Sequence, residues 1–163
     1  MATVHIRPAA LRDLNALTFI EAAGFPAAEA AGKDSLRERL RVFPQCFLVA
    51  ECGGIPVGYI GGCVCSTDTI EDVYYESTAY HDPRGPYQSV FSLVVLPEWQ
   101  QKGIAARLMR AFIAQARQQG RRGVILTCKE RLIPFYSHFG YRCLGVSRSV
   151  HGGARWYDMK LVF

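Results

Sequence analysis

The chain has 163 residues, half of them hydrophobic and a fifth charged, with a net charge of +5 at pH 7. That is the composition of a folded protein of domain size, and a single domain over 1–163 is expected. No apolar run reaches the ~18 residues of a membrane-crossing helix. The basic residues are scattered, with only Arg121-Arg122 as a tight pair, so neither nucleic acid nor membrane is the expected partner.

The elements follow in chain order. Val4–Ala9 is predicted as a strand and Ala10–Ala23 as a helix, with Leu11, Leu14, Leu17 and Ile20 at helical spacing. The amino terminus, MATVHIRPAALRDL, lacks the basic-then-apolar order of a secretory leader, and a cytoplasmic location is expected. Gly24-Phe25-Pro26 breaks the first helix, and a second covers Asp34–Val42. Cys46–Glu51 and Pro56–Cys65 form a hairpin about Gly53-Gly54. Ser66–Pro86 is polar and aromatic, with no assigned element beyond a rigid Pro83-Arg84-Gly85-Pro86 loop.

Gln88–Leu96 is the next strand. After Gly103, residues Ile104, Ala105, Leu108, Met109, Phe112, Ile113 and Ala116 share one helical face, and Gly120 stops the helix. Val124–Thr127 is a short buried strand, Arg131–Phe139 a short helix, and Tyr141–Val150 and Ala154–Val162 are closing strands. The order β-α-α-β-β-β-α-β-α-β-β makes a mixed α/β sheet with helices on both faces.

Six cysteines, Cys46, Cys52, Cys63, Cys65, Cys128 and Cys143, include no CxxC and no Cys/His set at zinc spacing, so no metal is expected. Cys63 and Cys65 share a strand face and are read as reduced core thiols.

The most informative stretch is SLVVLPEWQQKGIAARLM, Ser92–Met109. A strand ends in the turn Gln100, Gln101, Lys102, Gly103, Ile104, Ala105, which opens a helix. The first amides of a helix lack intrahelical acceptors and carry partial positive charge. Gly103 offers no Cβ to hold an anion off the backbone, and Lys102 and Arg107 add charge. Taken alone, the pattern also suits an ordinary strand-to-helix connection.

The sequence S-L-V-V-L-P-E-W-Q-Q-K-G-I-A resembles the signature of the GNAT superfamily of acetyl-CoA-dependent N-acetyltransferases. The resemblance implies an α/β (α+β) fold with a mixed, mostly antiparallel twisted sheet of about seven strands and a splayed central parallel pair. It implies that Leu93, Val94 and Val95 meet the pantetheine arm of acetyl-CoA through the backbone. It implies as well that the turn Gln100–Ala105 holds the diphosphate. In F-Y-x-x-F-G-Y, Tyr136 matches the family's tyrosine beside the coenzyme A sulfur, which implies a general acid for the departing thiolate.

Within the superfamily, YESTAYHDPRGPYQSVFSLVV, KERLIPFYSHFGY and GGARWYDM resemble the arylalkylamine (serotonin) N-acetyltransferases. That likeness implies a small-molecule primary amine as acceptor, with Phe25, Pro44, Phe91 and Trp156 around it, and direct attack in a ternary complex. The family's paired strand histidines are replaced by Ser89 and Phe91, so Ser89, Glu76 and His151 are the candidate proton relays. His81 and His138 are expected to be structural. Cys128 has no histidine partner and is set aside as a nucleophile. Asp68, Glu71, Asp72 and Glu76 leave polyamine, aminoglycoside or protein-lysine acceptors open, as well as a non-catalytic acyl-CoA-binding module; monomer and homodimer are both admitted.

Overall fold

A computed structural model describes residues 3–163. In chain order the strands are β1 (Val4–Pro8), β2 (Phe47–Cys52), β3 (Ile55–Gly61), β4 (Val64–Cys65), β5 (Tyr87–Val90), β6 (Ser92–Val95), β7 (Gly123–Cys128), β8 (Arg142–Val146) and β9 (Tyr157–Val162). The helices are α1 (Leu14–Gly24), α2 (Lys33–Val42), α3 (Val73–Glu76), α4 (Ile104–Gln118) and α5 (Ile133–Ser137). They fall into two compact units: residues up to Gly61 with Ser92–Phe112, and Gly62–Phe91 with Ile113–Phe163.

The first unit holds an antiparallel sheet in the order β1-β2-β3-β6. Gly53 and Gly54, at φ 59° and 80°, give the β2–β3 hairpin the left-handed pair that a tight turn needs. Leu17, Ile20, Leu36, Leu40, Phe43, Phe47 and Tyr59 form its core. Helix α1 ends against β6 so closely that a Cβ on Gly24 would stand 2.3 Å from Val94 Cγ1. Two polar anchors brace this unit. Asp13 takes two hydrogen bonds from the Arg7 guanidinium, at 2.8 and 2.9 Å, and Arg7 Nε reaches Glu51 at 2.7 Å. Buried Glu21 accepts from the Tyr59 hydroxyl and from the Ala31 amide at 2.9 Å, fastening the α1–α2 loop.

The second unit holds a mixed sheet in the order β4-β5-β7-β9-β8. Its one parallel pairing runs from Tyr87 opposite Gly123 to Val90 opposite Leu126. The α4 helix ends as its sequence foretells: the Gly120 amide reaches Arg117 O and the Arg121 amide reaches Ala116 O, with Gly120 at φ 79°.

The mixed, mostly antiparallel architecture with a parallel pair agrees with expectation, and the strand count among the described residues rises to nine because two long strands are divided. The run Gln88–Leu96 changes sheet at Phe91: β5 pairs with β4 and β7, whereas β6 pairs with β3. Likewise Pro56–Cys65 divides at Gly62-Cys63, and a Cβ on Gly62 would lie 2.2 Å from Ser89 O. The expected strand Tyr141–Val150 stops at Val146, after left-handed Gly145 at φ 106°. The unassigned segment Ser66–Pro86 contains α3 and a 3-10 turn over Thr78–Tyr80.

Candidate functional site

Strand β6 is an edge of its sheet, and its register fixes which backbone groups face outward. The Leu96 amide donates to Val57 O at 2.9 Å, and the pairing continues as Tyr59 opposite Val94 and Gly61 opposite Ser92. In an antiparallel ladder hydrogen-bonded pairs alternate with non-bonded ones. Val94 therefore spends its N–H and C=O on β3, while Leu93 and Val95 turn theirs away from it. Of those outward groups, the Val95 carbonyl accepts from Gln100 Nε2 at 2.9 Å. The remaining donors and acceptors suit an extended ligand laid along the edge, in the manner of an added strand.

The turn that follows is curled by two left-handed residues, Gln101 at φ 61° and Gly103 at φ 80°. Such alternation brings successive N–H groups together in an anion-binding concavity. The first amide of α4 closed onto the turn is that of Arg107, bonded to Gly103 O at 3.1 Å. Amides ahead of it have no acceptor within the helix. Apart from its chain neighbours, no protein atom lies within 4 Å of where a Cβ on Gly103 would stand, so that space is open. Exposed Lys102 adds a mobile cation, whereas Arg107 is partly engaged, its Nη2 donating to Val4 O at 2.9 Å. These residues fit a diphosphate joined to an amide-bearing arm.

The second unit gathers an aromatic set. The ring of Tyr75 stacks on His151, with centroids 4.6 Å apart, and packs obliquely on Phe91 at 4.9 Å. Its hydroxyl is 3.0 Å from Thr127 Oγ1 on β7. Trp156 lies next to His151, sends its indole N–H to His151 O at 2.8 Å, and carries Lys129 Nζ 5.2 Å from its ring centre. Trp156 is only 8% exposed, so it backs the set, and partly exposed Tyr75, Phe91 and His151 form the reachable surface. Sequence reasoning named Phe91, His151 and Trp156 and missed Tyr75. The only signal for it was the density of aromatics in an unassigned segment.

Tyr136, on α5, has its ring held edge-on by Phe135 at 5.1 Å and Tyr141 at 5.9 Å. It is buried, and burial, with Cys128 beside it, holds its phenol well above the ordinary value. Among the described residues none engages its hydroxyl, in contrast to Tyr59, Tyr74 and Tyr75, whose hydroxyls are bonded to Glu21, Thr67 and Thr127.

The other named residues have different settings. Ser89 is fully buried, and its hydroxyl donates to Cys63 O at 2.8 Å. Glu76 is exposed at the end of α3. In the first unit, Phe25 caps α1 and Pro44 opens a 3-10 turn, both partly exposed. Asp72 receives the Ser149 hydroxyl and the Val150 amide, and Asp68 pairs with Lys160 at 3.2 Å. Among the described residues no three His, Cys, Asp or Glu side chains gather as a metal site, and no helix is long and apolar enough to cross a membrane.

An edge strand running into a turn of outward amides can hold an extended anionic ligand. Residues 9–141 match the model of the acetyltransferase (GNAT) family, and the chain belongs to that family. Solved structures agree in fold. The loading GNATL domain of CurA from Lyngbya majuscula superposes with a TM-score of 0.84 at 15% identity, covering 98% of each chain. A GNAT family acetyltransferase from Brucella melitensis, in complex with acetyl-CoA, gives 0.64 at 20% identity over 99% of this chain and 88% of that one. The ribosomal-protein-S18-alanine N-acetyltransferase of Escherichia coli gives 0.72 at 15% identity over 98% and 94%.

Proposed function

We propose that this protein transfers an acetyl group from acetyl-CoA to the primary amine of a small arylalkylamine-like molecule, by direct attack. Acetyl-CoA, when bound, supplies the acetyl group as an activated thioester. The outward backbone groups of Leu93 and Val95 bind the amide-bearing arm. The amides about Gln101–Ala105 hold the diphosphate, with Lys102 alongside. The Brucella melitensis neighbour, crystallised with acetyl-CoA, supports this assignment.

Tyr136 is the proposed acid for the thiolate. A phenol held above its ordinary range keeps its proton throughout neutral pH, and its hydroxyl is not committed elsewhere. His151 is the proposed proton acceptor, with exposed Glu76 as the outlet to solvent. Ser89 is left out because its hydroxyl is already spent.

The observation that carries the substrate class is the aromatic surface of Tyr75, Phe91 and His151. Such rings stack on an aryl body. A polycation needs free carboxylates, and two of the four candidates, Asp68 and Asp72, are already bonded. Phe25 and Pro44 enter as acceptor contacts on the sequence resemblance alone. Steady-state kcat/KM for tryptamine, phenethylamine, spermidine and a lysine peptide tests this reading. The aryl amines are expected to lead by at least about tenfold; spermidine or the peptide in the lead would replace it.

A further inference from the structure

Outside the proposed transfer chemistry, the second unit contains a thiol pair with a purpose-built surround. Cys63 Sγ and Cys65 Sγ lie 3.7 Å apart, both buried. Three groups neighbour the sulfur of Cys63. The first is the Cys65 thiol. The second is the Ser89 hydroxyl, which donates to Cys63 O at 2.8 Å and lies 3.7 Å from the sulfur. The third is His81: its Nδ1 accepts the Val64 amide at 3.1 Å, which puts the ring proton on Nε2, and its nearness favours the Cys63 thiolate. Hydrogen bonds to a sulfur favour its thiolate, and Cys63 is accordingly held below the ordinary thiol range while Cys65 is held above it.

The geometry points to Cys63 and Cys65 as an oxidative modification site, with Cys63 the attacking sulfur, Cys65 the resolving thiol and a small uncharged peroxide the oxidant. The Cys63 thiolate attacks one peroxide oxygen; the S–O bond forms, the O–O bond breaks, and the departing hydroxide takes up a proton as water. Cys65 sulfur then attacks Cys63 sulfur; the S–S bond forms, the S–O bond breaks, and the hydroxyl leaves with the Cys65 proton as a second water. The sulfurs lose two electrons and the peroxide gains them. Closing from 3.7 Å to a bond of about 2.05 Å is within reach of side-chain rotation and a small backbone adjustment. Both thiols are buried, so attack takes place through local opening, which admits small hydrogen peroxide ahead of a bulky electrophile. Exposed Cys143 is the internal control.

The test is peptide mapping of the whole protein after graded hydrogen peroxide, with thiols tagged by maleimide after denaturation. Cys63 and Cys65 are expected to lose tagging together as a crosslink 2 Da lighter, ahead of Cys143, and to regain it with dithiothreitol. In Cys65→Ser, dimedone is expected to mark Cys63. His81→Gln is expected to slow the loss of the pair by about tenfold. Oxidation of Cys143 while Cys63 and Cys65 still take the tag would overturn the proposal. That outcome is read on the unaltered protein and stands whether or not the variants fold.

Discussion

The side-chain amide of Gln100 donates to the main-chain carbonyl of Val95 at 2.9 Å, tying the anion-binding turn to the last residue of the edge strand that precedes it. The two halves of the proposed coenzyme site are thus held in fixed register. Gln100→Ala removes one hydrogen bond worth about 1 kcal/mol. Titration calorimetry is expected to show acetyl-CoA binding about fivefold weaker, with little change in Tm.

Gly103 is demanded by its φ of 80°, and the space where a Cβ would stand is open for a ligand. Gly103→Ala costs about 1 kcal/mol in backbone strain and adds a methyl group at the proposed diphosphate cradle. The affinity loss is expected to exceed the stability loss: about tenfold or more in Kd, against a drop of a few degrees in Tm. A variant that melts lower yet binds acetyl-CoA normally would remove the turn from the site.

Removing the Tyr136 hydroxyl breaks no described hydrogen bond, so Tyr136→Phe is expected to change stability by less than about 0.5 kcal/mol. Turnover is expected to fall about 100-fold, the scale of a lost general acid. Because the folded phenol sits above its ordinary value, it remains protonated up to and beyond pH 10. The kcat profile of the wild type therefore has no alkaline decline below about pH 10.

Stability is expected to fall at both pH extremes for separate reasons. Asp13 is held below its ordinary value by the Arg7 hydrogen bonds, so its contribution is present above the unfolded carboxyl value near 4 and is lost as pH falls through the folded value. Tyr59, Tyr136 and Tyr141 are held above their ordinary value by burial, so their contribution is complete below about pH 10 and is lost as pH rises further. Urea midpoints across pH check both limbs. Asp13→Asn is expected to cost about 2 kcal/mol at pH 7, because it leaves partly buried Arg7 without its main acceptor, and to flatten the acid limb.

The helix α4 could be read residue by residue from the sequence, because its apolar spacing and its Gly120 stop are local properties of the chain. The Gly53-Gly54 hairpin was legible for the same reason. The change of sheet at Phe91 was not, since an unbroken apolar run carries no mark of which neighbour each half will pair with. The proposed coenzyme turn was legible as glycine and polar residues between two periodic segments, but not the left-handed Gln101, which belongs to a residue type that seldom adopts it. Tyr75 and the Cys63, His81, Ser89 cluster join residues far apart in sequence, and only the fold brings them together.

The most direct measurement is chromatographic detection of coenzyme A released from acetyl-CoA, with and without tryptamine, by the wild type and by Tyr136→Phe. Chromatography avoids a thiol dye that the cysteines would consume. Release that requires the amine, yields N-acetyltryptamine in equal amount and falls about 100-fold in the variant is the expected result. Tight acetyl-CoA binding with no amine-dependent release, from tryptamine or from any other amine offered, would contradict acetyl transfer and leave a module that only binds the acyl carrier.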